Sequence, residues 1–175
     1  MEYNVSCCGF KNDERITVIR VLFVCTGNIC RSPTADGVFA KMIEDAGLAG
    51  KVIVDSCGTT GYHVGEPADR RAIQEARKRG YDLTHLRARK LIQADFENFD
   101  YLIAMDDGHL EALERACPEH YRDRVKLFLD YHPAHRGESV PDPYYGGTQG
   151  FTHVLDLIEE TSRNLLKELR QTHKL

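Results

Sequence analysis

Cys25 and Arg31 bracket the five residues Thr26-Gly27-Asn28-Ile29-Cys30, and Ser32 and Pro33 follow directly. A cysteine thiolate is a strong nucleophile where positive charge or helix-end amides stabilise it. An arginine at the far end of a short loop offers a planar fork that matches phosphate oxygens bidentately. Gly27 and Asn28 let the chain between them turn tightly, and Pro33 suits the first turn of a helix. Strand, turn and helix N-terminus, in that order, converge backbone N–H groups on an anion. The chemistry this permits is attack of the Cys25 sulfur on a phosphoryl group. Arg31 and the loop amides of Thr26, Gly27, Asn28, Ile29, Cys30 and Ser32 then carry the charge on the oxygens. No metal and no cofactor is needed, because guanidinium and amides already neutralise the anion.

Other readings of the same stretch fare less well. A free cysteine closing a strand is often inert packing, but that leaves Arg31, Ser32 and the turn unexplained. A nucleotide loop of the Walker type needs a Gly-Lys-Ser/Thr ending, which is absent. A dinucleotide fingerprint needs spaced glycines after the strand, and only Gly27 is present.

The elements that must position these residues are legible around them. Residues 18–24 read as a buried parallel strand, apolar apart from Arg20. Val38, Phe39, Met42, Ile43 and Ala46 form a helical stripe that stops near Gly47. A second strand over 52–54 leaves through Asp55 and Ser56 into a glycine-bearing loop, 58–65, and a helix follows over 68–79 with Ala72, Ile73 and Ala76 inward. Residues 101–105 predict a third strand. A helix over 106–117 comes next, with Leu110, Leu113 and Ala116 on one face, and then a fourth strand over 125–129. A long loop rich in Pro, Gly and His spans 130–150, a length that is usually functional. The final helix, 151–171, turns Val154, Leu155, Ile158, Leu165, Leu166 and Leu169 to the core. Strands alternating with helices predict one α/β domain over 18–175, a parallel sheet covered on both faces. In such sheets ligands sit at the carboxyl ends of the strands, where Cys25, Ser56 and Asp106 fall. Residues 1–17, with the pair Cys7-Cys8, have no clear periodicity and read as a mobile extension.

Composition bounds the partners. Lys plus Arg total 23 against 27 for Asp plus Glu, a net charge of −4, which argues against nucleic acid. No apolar run is long enough to span a bilayer, and residues 1–17 hold no apolar signal-peptide core. The six cysteines therefore read as reduced thiols of a cytoplasmic protein. His132 and His135 lie close in the long loop, but no cysteine pair accompanies them and a metal site is not expected.

The stretch from Val24 to Pro33, together with Asp142-Pro143-Tyr144-Tyr145 far downstream, resembles the low-molecular-weight protein tyrosine phosphatases. Asp55-Ser56, His85 and the run from Phe99 to Asp106 fall where that family has similar segments, and the resemblance covers about residues 18–172. It implies a flavodoxin-like, Rossmann-like four-stranded parallel sheet in the order 2-1-3-4. It further implies hydrolysis of phosphotyrosine in protein substrates through a cysteinyl-phosphate, with Cys25 as nucleophile, Arg31 on the phosphate, and Asp142 as acid and then base. A monomer is expected, with weak self-association as the alternative.

The resemblance also assigns supporting roles. Ser32 should hydrogen-bond the Cys25 thiolate, and Asn28 should hold the loop's turn, supported through Ser56 and His85. Asp106 matches a family aspartate near the site, although a helix N-cap explains it equally well. Cys30 matches a cysteine that pairs with the nucleophile on oxidation and guards it. Tyr62, Tyr144, Tyr145 and Ile29 should wall the substrate cleft. Many members carry tryptophan at Tyr62, prolines where this chain has Ala68 and Arg70, and a smaller residue at Cys57. Three rival activities share the frame. An arsenate reductase would need a nearby cysteine pair, and only Cys117 follows Cys57. A phosphoarginine phosphatase would favour threonine at Ile29. A non-catalytic phosphate-binding module would tolerate damage at Cys25, Arg31 or Asp142, all of which are intact.

Overall fold

The computed structural model describes residues 18–175. The extension expected over 1–17, and Cys7 and Cys8 within it, lie outside the described residues.

Four parallel strands, β1 (Ile19–Cys25), β2 (Val52–Gly58), β3 (Tyr101–Ala104) and β4 (Val125–Leu127), form one sheet in the order β2-β1-β3-β4. β1 lies in the middle, in register with β2 from Ile19↔Val52 to Cys25↔Gly58 and with β3 from Val21↔Tyr101 to Val24↔Ala104. Side chains alternate across it. Val21, Phe23 and Cys25 share a core with α1 (Arg31–Asp45) and α5 (Gly147–His173), while Leu22 and Val24 share another with α3 (Gln93–Asn98) and α4 (Asp107–Ala116). Both faces of the strand are buried, which is why it reads as an unbroken apolar run rather than an alternating one.

Phe23 meets Phe39 and Phe128 edge to face, with ring centroids 5.8 and 5.5 Å apart. Burial of one such side chain contributes about 1.5–3 kcal/mol, more than the roughly 1 kcal/mol net of a typical hydrogen bond. The core, rather than the polar contacts of the loop, therefore fixes where Cys25 emerges. α2 (Arg70–Lys78) lays its alanine face, Ala72 and Ala76, against a small cluster that includes Cys30 and Phe151.

Several boundaries differ from the sequence reading. β2 continues to Gly58 because the Gly58 N–H donates to Arg89 O at 2.8 Å while Gly58 pairs with Cys25. α3 has no counterpart in the sequence reading: six residues are too short for a periodic signal, yet Phe96 is buried and Asp95 caps the first turn. β4 is shorter than expected because the chain tightens into a 3-10 turn, Phe128–Tyr131. Ala116 is exposed, and Cys117 takes the buried place at the end of α4. α5 begins at Gly147, inside a stretch whose glycines argue for loop. Among the described residues no helix is long and apolar enough to cross a membrane.

Candidate active site

The cradle is built where β1 stops and α1 starts. The Cys25 carbonyl accepts from Thr59 N at 2.8 Å, the Thr26 carbonyl from Thr60 N at 3.0 Å, and the Ile29 carbonyl from Asp69 N at 2.7 Å. No backbone N–H from Thr26 to Cys30 has a protein partner among the described residues. The loop thus turns its acceptors away and keeps its donors for an anion. Two glycines make this packing feasible. A Cβ on Gly58 would lie 2.6 Å from Thr26 O, and one on Gly27 would lie 2.9 Å from the His63 ring.

Asn28 makes the turn in the left-handed region, φ 55°, which asparagine tolerates better than most residues. Its Oδ1 accepts from Arg89 N at 2.9 Å, and its Nδ2 donates to Ser32 Oγ at 2.9 Å. Ser32 Oγ lies 3.0 Å from Cys25 Sγ, with Cys57 O more distant at 3.3 Å. Asn28 donates to the hydroxyl oxygen, and the Ser32 proton has two acceptors in reach, the sulfur and the more distant Cys57 carbonyl. A Cys25 thiolate receives a charge-assisted hydrogen bond there.

Support for Asn28 differs from the expected one. Ser56 Oγ donates to Asp36 Oδ2 at 2.9 Å and does not reach Asn28. His85 is exposed, 4.0 Å from Asp82, and plays no part in the loop, because the turn at Asp82 and Thr84 carries it outward. The Arg89 backbone takes that place. Its side chain is clamped by Asp55 (2.8 Å) and Asp95 (2.9 Å), which fixes the N–H that meets Asn28. A backbone donor leaves no mark in a sequence, which is why this brace was not foreseen.

Arg31 is buried, 5% exposed, and donates through Nη1 to Asp106 Oδ2 at 2.6 Å and to Val140 O at 3.0 Å. Its Nη2 lies 3.5 Å from Asp142 Oδ2. Asp106 fills both roles considered for it, since its Oδ1 also caps α4 by accepting from His109 N at 2.8 Å. Burial pushes the Asp106 pKa up, but the His109 ring, the His109 N–H and Arg31 outweigh it and hold the carboxyl well below the usual range. It therefore stays a carboxylate that fixes Arg31. His109, absent from the sequence reading, is buried, with Nε2 2.7 Å from Thr26 Oγ1. Its Nδ1 is 2.9 Å from Asp106 Oδ1 but outside hydrogen-bond geometry, so the contact is one of proximity rather than a formed hydrogen bond.

Asp142 is half-exposed on the loop before α5, and its Oδ1 accepts from Tyr144 N at 3.0 Å. A cleft of about 260 Å³ brings the predicted residues together: Cys25, Arg31 and Asp142, with Ile29, Cys30, Tyr62, Tyr144 and Tyr145 around them. Thr60 and His63 also line it and were missed; His63 is held by Glu66 at 2.7 Å.

The cysteines differ in character. Burial, then the charges of Asp69, Cys25 and Asp142, raise the Cys30 thiol to about 12 against a weaker opposing effect of Arg71. Burial also pushes the Cys57 thiol up. Both stay protonated near neutrality. All cysteines among the described residues are free thiols. His132 and His135 brace their own loop: His132 Nδ1 accepts from Ala134 N at 3.1 Å and His135 N at 3.2 Å, and Nε2 faces Glu160 at 3.2 Å.

A parallel α/β sheet that ends its central strand on a cysteine, with amides and a buried arginine around one anion-sized cradle, defines a phosphate-loop protein of the cysteine-nucleophile class. A family model for low molecular weight phosphotyrosine protein phosphatases matches residues 20–175, and the chain belongs to that family. It is 48% identical over 155 residues to a low molecular weight protein-tyrosine-phosphatase of Streptomyces coelicolor, covering 87% of this chain and 94% of that one. It is 45% identical over 152 residues to the low molecular weight phosphotyrosine protein phosphatase of Schizosaccharomyces pombe, covering 86% and 97%. A crystal structure of a protein tyrosine phosphatase from Entamoeba histolytica, with Hepes in its active site, superposes with a TM-score of 0.84 at 41% identity, covering 90% and 99%.

Proposed function

We propose that this chain hydrolyses phosphotyrosine in proteins, and small aryl phosphates, through a cysteinyl-phosphate. The observation that carries the reading is the Ser32 hydroxyl 3.0 Å from Cys25 Sγ, in the cleft that also holds Arg31 and Asp142. In the first step the Cys25 thiolate attacks phosphorus and the bond from phosphorus to the phenolic oxygen breaks. Asp142 gives its proton to that oxygen as it departs. Its Oδ2 is the atom for this task, since Oδ1 is held by the Tyr144 N–H. In the second step water attacks phosphorus, the Asp142 carboxylate takes the water proton, and the sulfur–phosphorus bond breaks to return the thiolate. Arg31 and the loop amides stabilise the oxygens in both steps.

Ile29, Tyr62, Tyr144 and Tyr145 line the cleft with apolar surface, Tyr144 and Tyr145 edge to face at 5.1 Å, which offers contacts to a phenyl ring. The free thiols among the described residues fit a reducing cytoplasm, and phosphoproteins are the substrates. The test is turnover of an aryl phosphate with a metal chelator present, with acid quench and mass spectrometry of the enzyme. Chelator-resistant turnover and a phosphate adduct on Cys25 are expected. Turnover that the chelator abolishes, or an adduct elsewhere, would overturn the mechanism.

A further inference from the structure

Arg71, in the first turn of α2, lies outside the cleft lining yet touches what holds the cleft together. Its Nε and Nη2 grip the two oxygens of Asp69 at 3.0 and 2.8 Å, and its Nη1 donates to Tyr144 O at 3.0 Å. The guanidinium plane also lies against the Tyr144 ring at 5.2 Å and the Phe151 ring at 4.6 Å. Asp69 N donates in turn to Ile29 O at 2.7 Å, and Tyr144 N to Asp142 Oδ1 at 3.0 Å. An unbroken chain of contacts therefore runs from the phosphate loop at Ile29, through Asp69 and Arg71, to Tyr144 and Asp142.

Asp142 needs such support. Its side chain is 46% exposed, and its contacts among the described residues are the Tyr144 N–H and the more distant Arg31. Upstream, the segment is pinned where Val140 N donates to Met105 O at 2.8 Å and Val140 O accepts from Arg31. Downstream, Tyr144 is held on both sides, its N–H by Asp142 and its carbonyl by Arg71. Whatever fixes that residue aims the carboxyl.

A second observation sets Arg71 apart from ordinary packing. A cation in the first turn of a helix opposes the helix dipole, and here the N-cap carboxylate of Asp69, which also accepts from Arg71 N at 2.8 Å, offsets it. Capping needs Asp69 but no arginine, and such local conflicts tend to mark functional positions. The contact set uses two edges and the face of a guanidinium, which lysine cannot reproduce.

We propose that Arg71 is the positioning residue of the acid loop: it fixes Tyr144, and through the Tyr144 N–H it holds Asp142 with Oδ2 toward the leaving oxygen. The proposal rests on the reading of Asp142 as general acid. Arg71 touches neither substrate nor the reacting atoms. Its anchor on Asp69 also ties the height of the acid to the phosphate loop, so nucleophile and acid keep one spacing.

The experiment compares kcat/KM for wild type, Arg71→Met, Arg71→Lys and Asp142→Asn over aryl phosphates, from the activated p-nitrophenyl ester to the unactivated phenyl ester. Inhibition by inorganic phosphate and the melting temperature are measured alongside. A misplaced acid matters most when the leaving oxygen is basic. Both Arg71 variants are expected to lose roughly tenfold or more on phenyl phosphate, but within about twofold on the p-nitrophenyl ester. Phosphate affinity should be unchanged. In Arg71→Met/Asp142→Asn the loss should equal that of Asp142→Asn alone, because one pathway is broken twice. A uniform loss across the series in both Arg71 variants, or full additivity in the double variant, would overturn the positioning role while Asp142→Asn keeps its leaving-group dependence. If Asp142→Asn itself shows no such dependence, the reading of Asp142 fails, and the role of Arg71 with it.

Discussion

Asn28 Nδ2 donates to Ser32 Oγ at 2.9 Å, and that bond decides what Ser32 can do for Cys25. With Asn28 donating to its oxygen, the hydroxyl keeps one proton, with the sulfur at 3.0 Å as its nearer acceptor and Cys57 O at 3.3 Å as the other. Asn28→Ala would remove the donor, leave the Arg89 N–H without its acceptor, and place alanine at φ 55°. Left-handed strain and a lost hydrogen bond each cost about 1–2 kcal/mol. A stability loss of about 2–4 kcal/mol in urea unfolding is expected, together with slower alkylation of Cys25. Unchanged alkylation would mean the Ser32 proton does not depend on Asn28.

Cys25→Ser is expected to abolish turnover and leave phosphate binding within severalfold of wild type. The serine hydroxyl does not ionise near neutral pH, while Arg31 and the amides remain. Isothermal titration with inorganic phosphate checks the second half. Turnover above about one per cent of wild type would sink the covalent route.

Peroxide should inactivate the enzyme reversibly. Attack begins at the thiolate, and burial keeps the Cys30 thiol at about 12, so Cys25 should be oxidised first and its sulfenic acid should condense with Cys30. Water leaves, the disulfide forms, and an added thiol reverses it. Cys30→Ser should recover poorly. Mass spectrometry showing Cys25 joined to Cys57, or no disulfide at all, would reject the guarding role.

Asp36, a buried residue of α1, carries a pH dependence of its own. Burial raises its pKa to about 7, with the Asp55 charge adding and the Ser56 hydrogen bond and Arg89 opposing. The unfolded carboxyl titrates near 3.8, so between about 4 and 7 the folded state binds the extra proton. This contribution favours folding below that window and is lost as pH rises through it. Asp36→Asn should therefore flatten the fall in stability between pH 4 and 7, measured by urea unfolding. Equal slopes in both proteins would refute the assignment. Asp106 acts in the opposite sense and only at the acid end, because its lowered pKa adds stability that disappears as pH drops below the unfolded value.

Ile29→Thr tests substrate choice. Ile29 lines the cleft and packs partly against the cluster of Cys30, Ala72 and Leu83. Its branched apolar surface leaves a guanidinium head without partners. Wild type should prefer phosphotyrosine over phosphoarginine peptides in kcat/KM, and the variant should narrow the gap by roughly tenfold. A wild-type preference for phosphoarginine would overturn the assignment. An unchanged ratio in the variant would assign the selection to the tyrosines.

The sheet and the cradle were legible because they rest on side chains with strong signatures: an apolar β-branched strand, a cysteine and an arginine at fixed spacing, and Asp-Pro before two tyrosines. What escaped notice rests on weaker marks. The brace on Asn28 is a backbone N–H, so the family resemblance pointed to His85 where the Arg89 backbone holds the turn. α3 is a single short turn whose hydrophobic anchor, Phe96, gives no period. His63 and His109 reach the site from loops and helix ends whose distance from Cys25 in space no spacing rule conveys.

Alternation along β1 places Cys25 by parity. Val21, Phe23 and Cys25 fall on one side of the sheet and Leu22 and Val24 on the other. An insertion or deletion of one residue between Phe23 and Cys25 would deliver the sulfur to the opposite core, beneath α3 and α4, with the cradle left empty of its nucleophile. The strand that presents the sulfur is thus held to a parity of length, a limit that turns remote from the cleft do not share.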